Sequence, residues 1–446
     1  MIKTKKVSFV ILTFILNCQS VYSQKSNTSL SSFITTFNIG YQKLNIPELE
    51  YDYKTYFKEV PDTISLNAQK AFFKDMQTTL SAMNYNSLKK RDKLHYDQFV
   101  YECIDNLERI SLEKEWVKGG RIIPDEGLHN LSDSKDWYNL FTKRFTSLDM
   151  TPEDIYTLGL SETKMVQQHI AEIRNRLGFK DSATFYQYLK SDTFLLKDKN
   201  EILKRYSIID SIVRKNLNKF ITFGNIPEVF VMEWPDANKF TPPGAYVNRD
   251  YNPYGKDVFQ FNFYCGTHNV RAMEWLYMHE AIPGHHLQSS EWRKESKDDS
   301  ILQQLFLYPG NFEGWACYVE YFGKDIGLYQ NPYSEMGKWE WDLVRSVRVV
   351  IDVGIHYYGW DYNKAMAYWK ANIAGQDEIA EREITRITNW PGQVLSYKVG
   401  AHKIMEMEKQ YMAKQGAKYD VRKFRAMYIS LGMAPLEIME KYIVGN

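Results

Sequence analysis

Cysteine is scarce. Four occur in 446 residues, and Cys103, Cys265 and Cys317 have no close spacing, which excludes a disulfide framework or a Cys-type zinc site. These three read as small buried hydrophobes. Excess charge of either sign is missing too. The 56 Lys and Arg stand against 55 Asp and Glu, a net charge of +1, so there is no electrostatic footprint for nucleic acid. Beyond the N-terminus no apolar run approaches the length of a membrane span. Neither a fixed-period repeat nor a low-complexity tract is present.

What is present fits a globular protein with a substantial core: 44% hydrophobic and 25% charged residues. Aromatics reach 15%, with 32 Tyr; they suit a helical core and surface, or the walls of a groove. The N-terminus has the form of an export signal over residues 1–23. Lys3, Lys5 and Lys6 precede an apolar run at residues 7–16, and Val21-Tyr22-Ser23 offers a cleavage site before Gln24. The expected location is therefore the periplasm or the exterior, with no transmembrane span in the mature chain. Cys18 follows Leu16-Asn17, a poor lipobox, so simple secretion is preferred to a lipid anchor there.

Residues 24–225 read as one helix after another. Thr151-Pro152-Glu153-Asp154 is a helix start, with a Thr cap, Pro at the first position and acids in the first turn. Val166, Ile170, Ile173 and Leu177 share a face until Gly178 stops the run. From 226 the chain turns rich in Pro, Gly, Asn and aromatics. Residues 228–233 and 258–264 read as short strands, the second with Phe259, Phe261 and Phe263 in alternation. Thr267 is the expected cap of the next helix. Helices resume after a loop at Pro309-Gly310, and Pro435 opens the last, with Leu436, Met439 and Ile443 on one face. The expected fold is mainly α. It has a helical lobe over 24–225, a second lobe over 226–446 with a small β-sheet beside the motif helix, and a cleft between the lobes.

That helix carries His279-Glu280-Ala281-Ile282-Pro283-Gly284-His285-His286. In the usual H-E-x-x-H form, one helical turn brings two imidazoles to one metal, and the Glu reaches the metal-bound water. Here Pro283 stands where the second His belongs. Proline removes a hydrogen bond and clashes with the carbonyl of His279, so the helix cannot run regularly through it. His285 points away from His279 in a regular helix but would be swung back by a bulge or break. His286 points the same way as His279 but lies about 10.5 Å further along an ideal axis. A carboxylate from a later helix should complete a His2Glu set, and Glu313 is the best candidate. Glu320, seven residues on, is placed to hold a ligand His from behind. Zinc with an adjacent Glu base implies amide or ester hydrolysis.

Four blocks in order over residues 279–400 resemble the bacterial family called domain of unknown function 885. The first is His279, Glu280, Pro283, Gly284 and His285; the second is Glu313-Gly314-Trp315-Ala316. The third runs from Arg345 and Arg348 to Asp352, Gly354-Ile355-His356 and Gly359-Trp360. The fourth is Pro391-Gly392-Gln393, Leu395-Ser396-Tyr397-Lys398 and Gly400. The resemblance implies a mostly helical, gluzincin-like metallopeptidase, similar in architecture to angiotensin-converting enzyme and the thimet-type oligopeptidases. It favours His285 over His286 and assigns His279, His285 and Glu313 to Zn²⁺, with Glu280 as general base.

His356 and Tyr397 are then candidate donors to the oxyanion, each weighed against a buried structural role. Arg348 and Asp352, four apart, read as a helix ion pair. Arg382, Arg386 and Lys398 are candidates to bind a substrate's C-terminal carboxylate; the interleaved Glu378, Glu381 and Glu383 also suit a solvated face. The strand containing Phe259–Phe263 is a candidate for pairing with an extended peptide. The expected function is an exported zinc metallopeptidase acting on short peptides. The competing expectation is a non-enzymatic peptide- or glycan-binding protein on the same scaffold.

Overall fold

The computed structural model describes residues 29–48, 52–120, 122–293 and 297–445. The export signal and Cys18 lie outside them. Helices dominate, and several begin as their residues dictate. Thr151 accepts from the Asp154 N–H at 3.1 Å and Pro152 takes the first position of the Pro152–Arg176 helix. Val166, Ile170 and Ile173 form its buried face. It lies against the Pro332–His356 helix, which starts from an Asn331 cap with Pro332 in the first turn. That second helix is buried along nearly its whole length, so Arg345 and Arg348 are carried into the interior and must find partners there.

One apolar core runs from Leu30 to Ile443, and a second joins Val166 and Ile170 to Val347, Trp369 and Ile384. Phe37, Phe99 and Phe306 meet ring to ring in the first; burying each contributes about 1.5–3 kcal/mol. The helices before and after residue 225 therefore share their cores. Among the described residues, no helix is long and apolar enough to cross a membrane.

The three-stranded sheet places Val258–Phe261 between Phe230–Glu233, parallel to it, and Gly244–Val247, antiparallel to it. The central strand is buried throughout and ends at Phe261 rather than residue 264. Both of its hydrogen-bonding edges are occupied, so it cannot accept a peptide as an added strand. Phe230–Glu233 and Gly244–Val247 are the outer strands of this sheet, and the second lies beside the motif helix, its Tyr246 N–H donating to Glu280 at 2.8 Å. Thr267 does not cap the motif helix either. His268–Asn269 first pairs with Leu195–Leu196, His268 bonding the Tyr206 hydroxyl at 2.8 Å, and the helix begins at Met273. Pro309 and Gly310 lie inside the first turn of the Pro309–Glu320 helix rather than in a loop.

Candidate metal centre

The motif helix, Met273–Glu280, ends at its glutamate. Ala281 still donates to Tyr277 at 2.9 Å, but Pro283 has no N–H to continue the ladder. The chain breaks through a cis Ile282–Pro283 bond, and a new helix, His285–Trp292, starts at once. Gly284 is required by close approach. A Cβ there would lie 1.9 Å from the His279 carbonyl oxygen, so only glycine lets the chain fold back over the end of the first helix. Trp315 secures the turn, its Nε1–H donating to the Pro283 carbonyl at 2.9 Å. The break brings the His285 ring back to that of His279, with centroids 4.8 Å apart and planes at 84°. His286 faces elsewhere, packed beside Tyr246 with its Nδ1 4.0 Å from Asp257. Burial lowers its pKa to about 4, so it is a neutral ring outside the cluster.

Glu313 meets both imidazoles. Its Oε2 lies 3.5 Å from His279 Nε2 and 3.4 Å from His285 Nε2. Ligands about 2.0–2.2 Å from a tetrahedral zinc stand roughly 3.3–3.6 Å apart, so these separations fit one ion. His285 Nδ1 is buried without a hydrogen-bond partner among the described residues. Burial works to raise the Glu313 pKa, but the two imidazoles outweigh it and hold the carboxyl far below its usual range. His285 is braced by the Phe312 ring, stacked at 3.9 Å.

Behind the cluster, His279 Nδ1 lies 2.7 Å from Glu320 Oε1, and Arg345 donates to Glu320 Oε2 at 2.7 Å. That chain fixes the imidazole so that Nε2 faces Glu313. Cys317 completes a second group with His279 and Glu320, a contact no spacing rule in the sequence signals. Glu280 is buried. Its Oε2 accepts from the Tyr246 N–H at 2.8 Å, on an outer strand of the sheet, and its Oε1 lies 4.0 Å from His279 Nε2. Burial raises its pKa, with the two histidines opposing.

A cavity of about 440 Å³ opens over these groups. Tyr397 lines it, and its hydroxyl accepts from Arg386 at 3.2 Å. Burial, then the Glu313 charge, raises the phenol's pKa and keeps it protonated. Arg382 and Arg386 also line the cavity, joined by Arg348. Arg348 was read as the partner of Asp352; it instead meets Glu383 at 2.5 Å. Asp352 accepts from the Tyr138 hydroxyl at 2.6 Å and from Gly392 N–H at 3.1 Å. The sequence signal for Arg348 was its three-residue spacing from Arg345 on one helix.

Two expected site residues are elsewhere. His356 Nδ1 accepts from Leu128 N–H at 3.2 Å and its Nε2 donates to the Ile387 carbonyl at 2.8 Å. Both nitrogens are committed to the backbone and burial lowers the pKa to about 4, so the ring ties segments together rather than serving the cavity. Lys398 is buried against Asp342 at 2.7 Å, Glu162 at 2.9 Å and the Tyr321 hydroxyl at 2.6 Å, away from the cavity lining.

Residues 112–443 match the family model described as bacterial protein of unknown function, DUF885. No curated protein matches the chain. Two solved structures are similar in fold. One is a candidate lipoprotein from Colwellia psychrerythraea, with TM-score 0.67 and 20% identity over 94% of this chain and 77% of that one. The other is a candidate lipoprotein of unknown function from Shewanella oneidensis, with TM-score 0.62 and 17% identity over 94% of this chain and 89% of that one.

Proposed function

The chain belongs to the bacterial DUF885 family, and from its clustered side chains we propose that it is an exported zinc-dependent hydrolase, a gluzincin-like metallopeptidase acting on short peptides. One observation carries this: the imidazoles of His279 and His285 and the carboxylate of Glu313 offer ligand atoms within 4.8 Å of one another. Two imidazoles and a carboxylate form the donor set of catalytic zinc sites that keep a position open. Zinc held there supplies a Lewis acid that polarises a carbonyl and acidifies water.

The chain's own residues do the rest. Glu280 Oε1 takes the proton of the attacking water and delivers it to the leaving amine nitrogen. The Tyr246 N–H holds the other carboxylate oxygen and so aims the group. The Tyr397 hydroxyl donates to the oxygen that gains charge as the carbonyl carbon becomes tetrahedral. Peptides are favoured because Ala245 and Tyr246, on an outer strand of the sheet, line the cavity, and such a strand pairs with an extended main chain. Export is supported by the basic, apolar and small-residue sequence of the first 23 positions, and by the likeness to proteins described as lipoproteins.

The test is metal content and turnover together. Purified protein should carry one zinc per chain, and His279→Ala should lose it. Glu280→Gln should keep zinc while turnover falls about 10²–10⁴-fold. Protein that binds no zinc under non-chelating conditions and turns over no peptide overturns the proposal and favours a binding protein; a Glu280→Gln variant as active as the parent overturns Glu280 as the base.

A further inference from the structure

The cavity wall facing the metal cluster carries more positive charge than its acids neutralise. Arg345, Arg348, Arg382 and Arg386 all line it. Arg345 is committed to Glu320. Among the described residues the other three have one carboxylate between them. Glu383 takes Arg348 at 2.5 Å and Arg382 at 2.8 Å, while Arg386 donates to neutral oxygens, Gln393 Oε1 at 2.7 Å and the Tyr397 hydroxyl at 3.2 Å. Glu280 and Glu313, also in the lining, are already engaged by the Tyr246 N–H and the two imidazoles. Arg348 is only 3% exposed, and its Nε, like that of Arg386, is buried without a hydrogen-bond partner among the described residues.

Buried charge left unpaired is unfavourable, so this wall is short of an anion. A guanidinium presents a planar fork that matches a carboxylate with two parallel hydrogen bonds. Arg386 donates to the Tyr397 hydroxyl, and both line the same cavity as His279, His285 and Glu313. Resting on the peptidase reading, we propose that Arg348, Arg382 and Arg386 receive the C-terminal carboxylate of the peptide. The protein is then an exopeptidase that cleaves near the carboxyl end of its substrate. Gly244, Ala245 and Tyr246 line the same cavity as these arginines, and a chain continuing past the arginines would leave them without their anion.

Three sets of acetylated tetrapeptides test this: neutral sequences ending in a carboxylate, the same sequences ending in an amide, and amidated sequences with Asp or Glu in the last position. Zinc-loaded protein should cleave the first set with kcat/KM about 100-fold above the second, the scale of a lost partner to a buried charge. Immobilised Glu280→Gln protein should retain the first set about tenfold better than the second, a binding readout independent of turnover. Arg382→Gln, a side chain 21% exposed, should lower only the values for the first set. Arg386→Lys, which keeps the charge but loses the fork, should lower retention of the first set by immobilised Glu280→Gln protein towards that of the second, with both variants checked for unchanged melting.

Equal treatment of the first two sets, or mid-chain cleavage of longer peptides, overturns the proposal and leaves the hydrolase intact. Preference for the third set overturns terminal recognition in favour of an acidic side chain. Failure to cleave any set by protein that holds zinc overturns the hydrolase reading; carboxylate-selective retention would then still uphold the arginine wall.

Discussion

At the scale of single residues, the orientation of His279 rests on Glu320. The carboxylate lies 2.7 Å from Nδ1 and is itself held by Arg345 at 2.7 Å. Removing such a partner leaves the ligand in place but free to rotate and less basic. Glu320→Gln should therefore weaken zinc binding about 10–100-fold, measured by competition with a chromophoric chelator, with little change in helical content. Unaltered affinity would mean that packing alone orients the imidazole. Arg345 and Cys317 belong to the same buried group, so the substitution must be judged by metal affinity and not by stability alone.

At the scale of elements, close approaches made by glycine build the site. Gly284 lets two helices meet head to tail around Pro283, since a Cβ there would lie 1.9 Å from the His279 carbonyl oxygen. Gly284→Ala should push the His285 helix away, so that stoichiometric zinc is lost while circular dichroism still reports a helical protein. The Glu313 helix and the Tyr397 helix, Leu395–Gln415, approach equally closely. A Cβ on Gly400 would lie 2.3 Å from the Gly310 carbonyl oxygen and 2.9 Å from the Gly314 Cα. Gly400→Ala should lower the unfolding free energy by about 1–3 kcal/mol, read from urea titration, and should move Tyr397 relative to Glu313.

At the scale of the whole molecule, buried ionisable groups act on stability in opposite directions with pH. His268 and His356 have pKa values lowered by burial to about 4. Their contribution is present above about 6.5 and is lost as pH falls towards 4, up to about 3 kcal/mol each. Burial raises Glu102 and Asp352 to about 7. Their contribution is full below the ordinary carboxylate range and is lost as pH rises through 7. Between about pH 4 and 6.5 the two trends oppose each other, so the parent's stability should change little. Asp352→Asn keeps an oxygen for the Tyr138 hydroxyl and the Gly392 N–H but removes one acid. Its stability should then fall more steeply than the parent's as pH drops from 6.5 to 4, measured by denaturant midpoints. Parallel pH profiles would show that Asp352 is ionised throughout.

The sequence by itself determined the helical class and several capped helix starts, and it nominated His279, Glu280 and Glu313, because caps, apolar periodicity and a His-Glu pair are local chemistry; that His285 rather than His286 meets them was decided by the break at Pro283. It did not determine which strands lie at the edges of the sheet. Phe259 and Phe261 look like a half-exposed strand, but the neighbours that cover both edges come from elsewhere in the chain. Nor did it determine partners among buried charges. Arg348 and Asp352 are four apart on one helix, yet each is satisfied across the interior by another segment. His356 and Lys398 sit in the same motif blocks as cavity residues and point into the core instead. Only tertiary packing decides these cases, because a buried polar group takes whichever partner the fold brings within hydrogen-bond distance, and sequence separation says nothing about that distance.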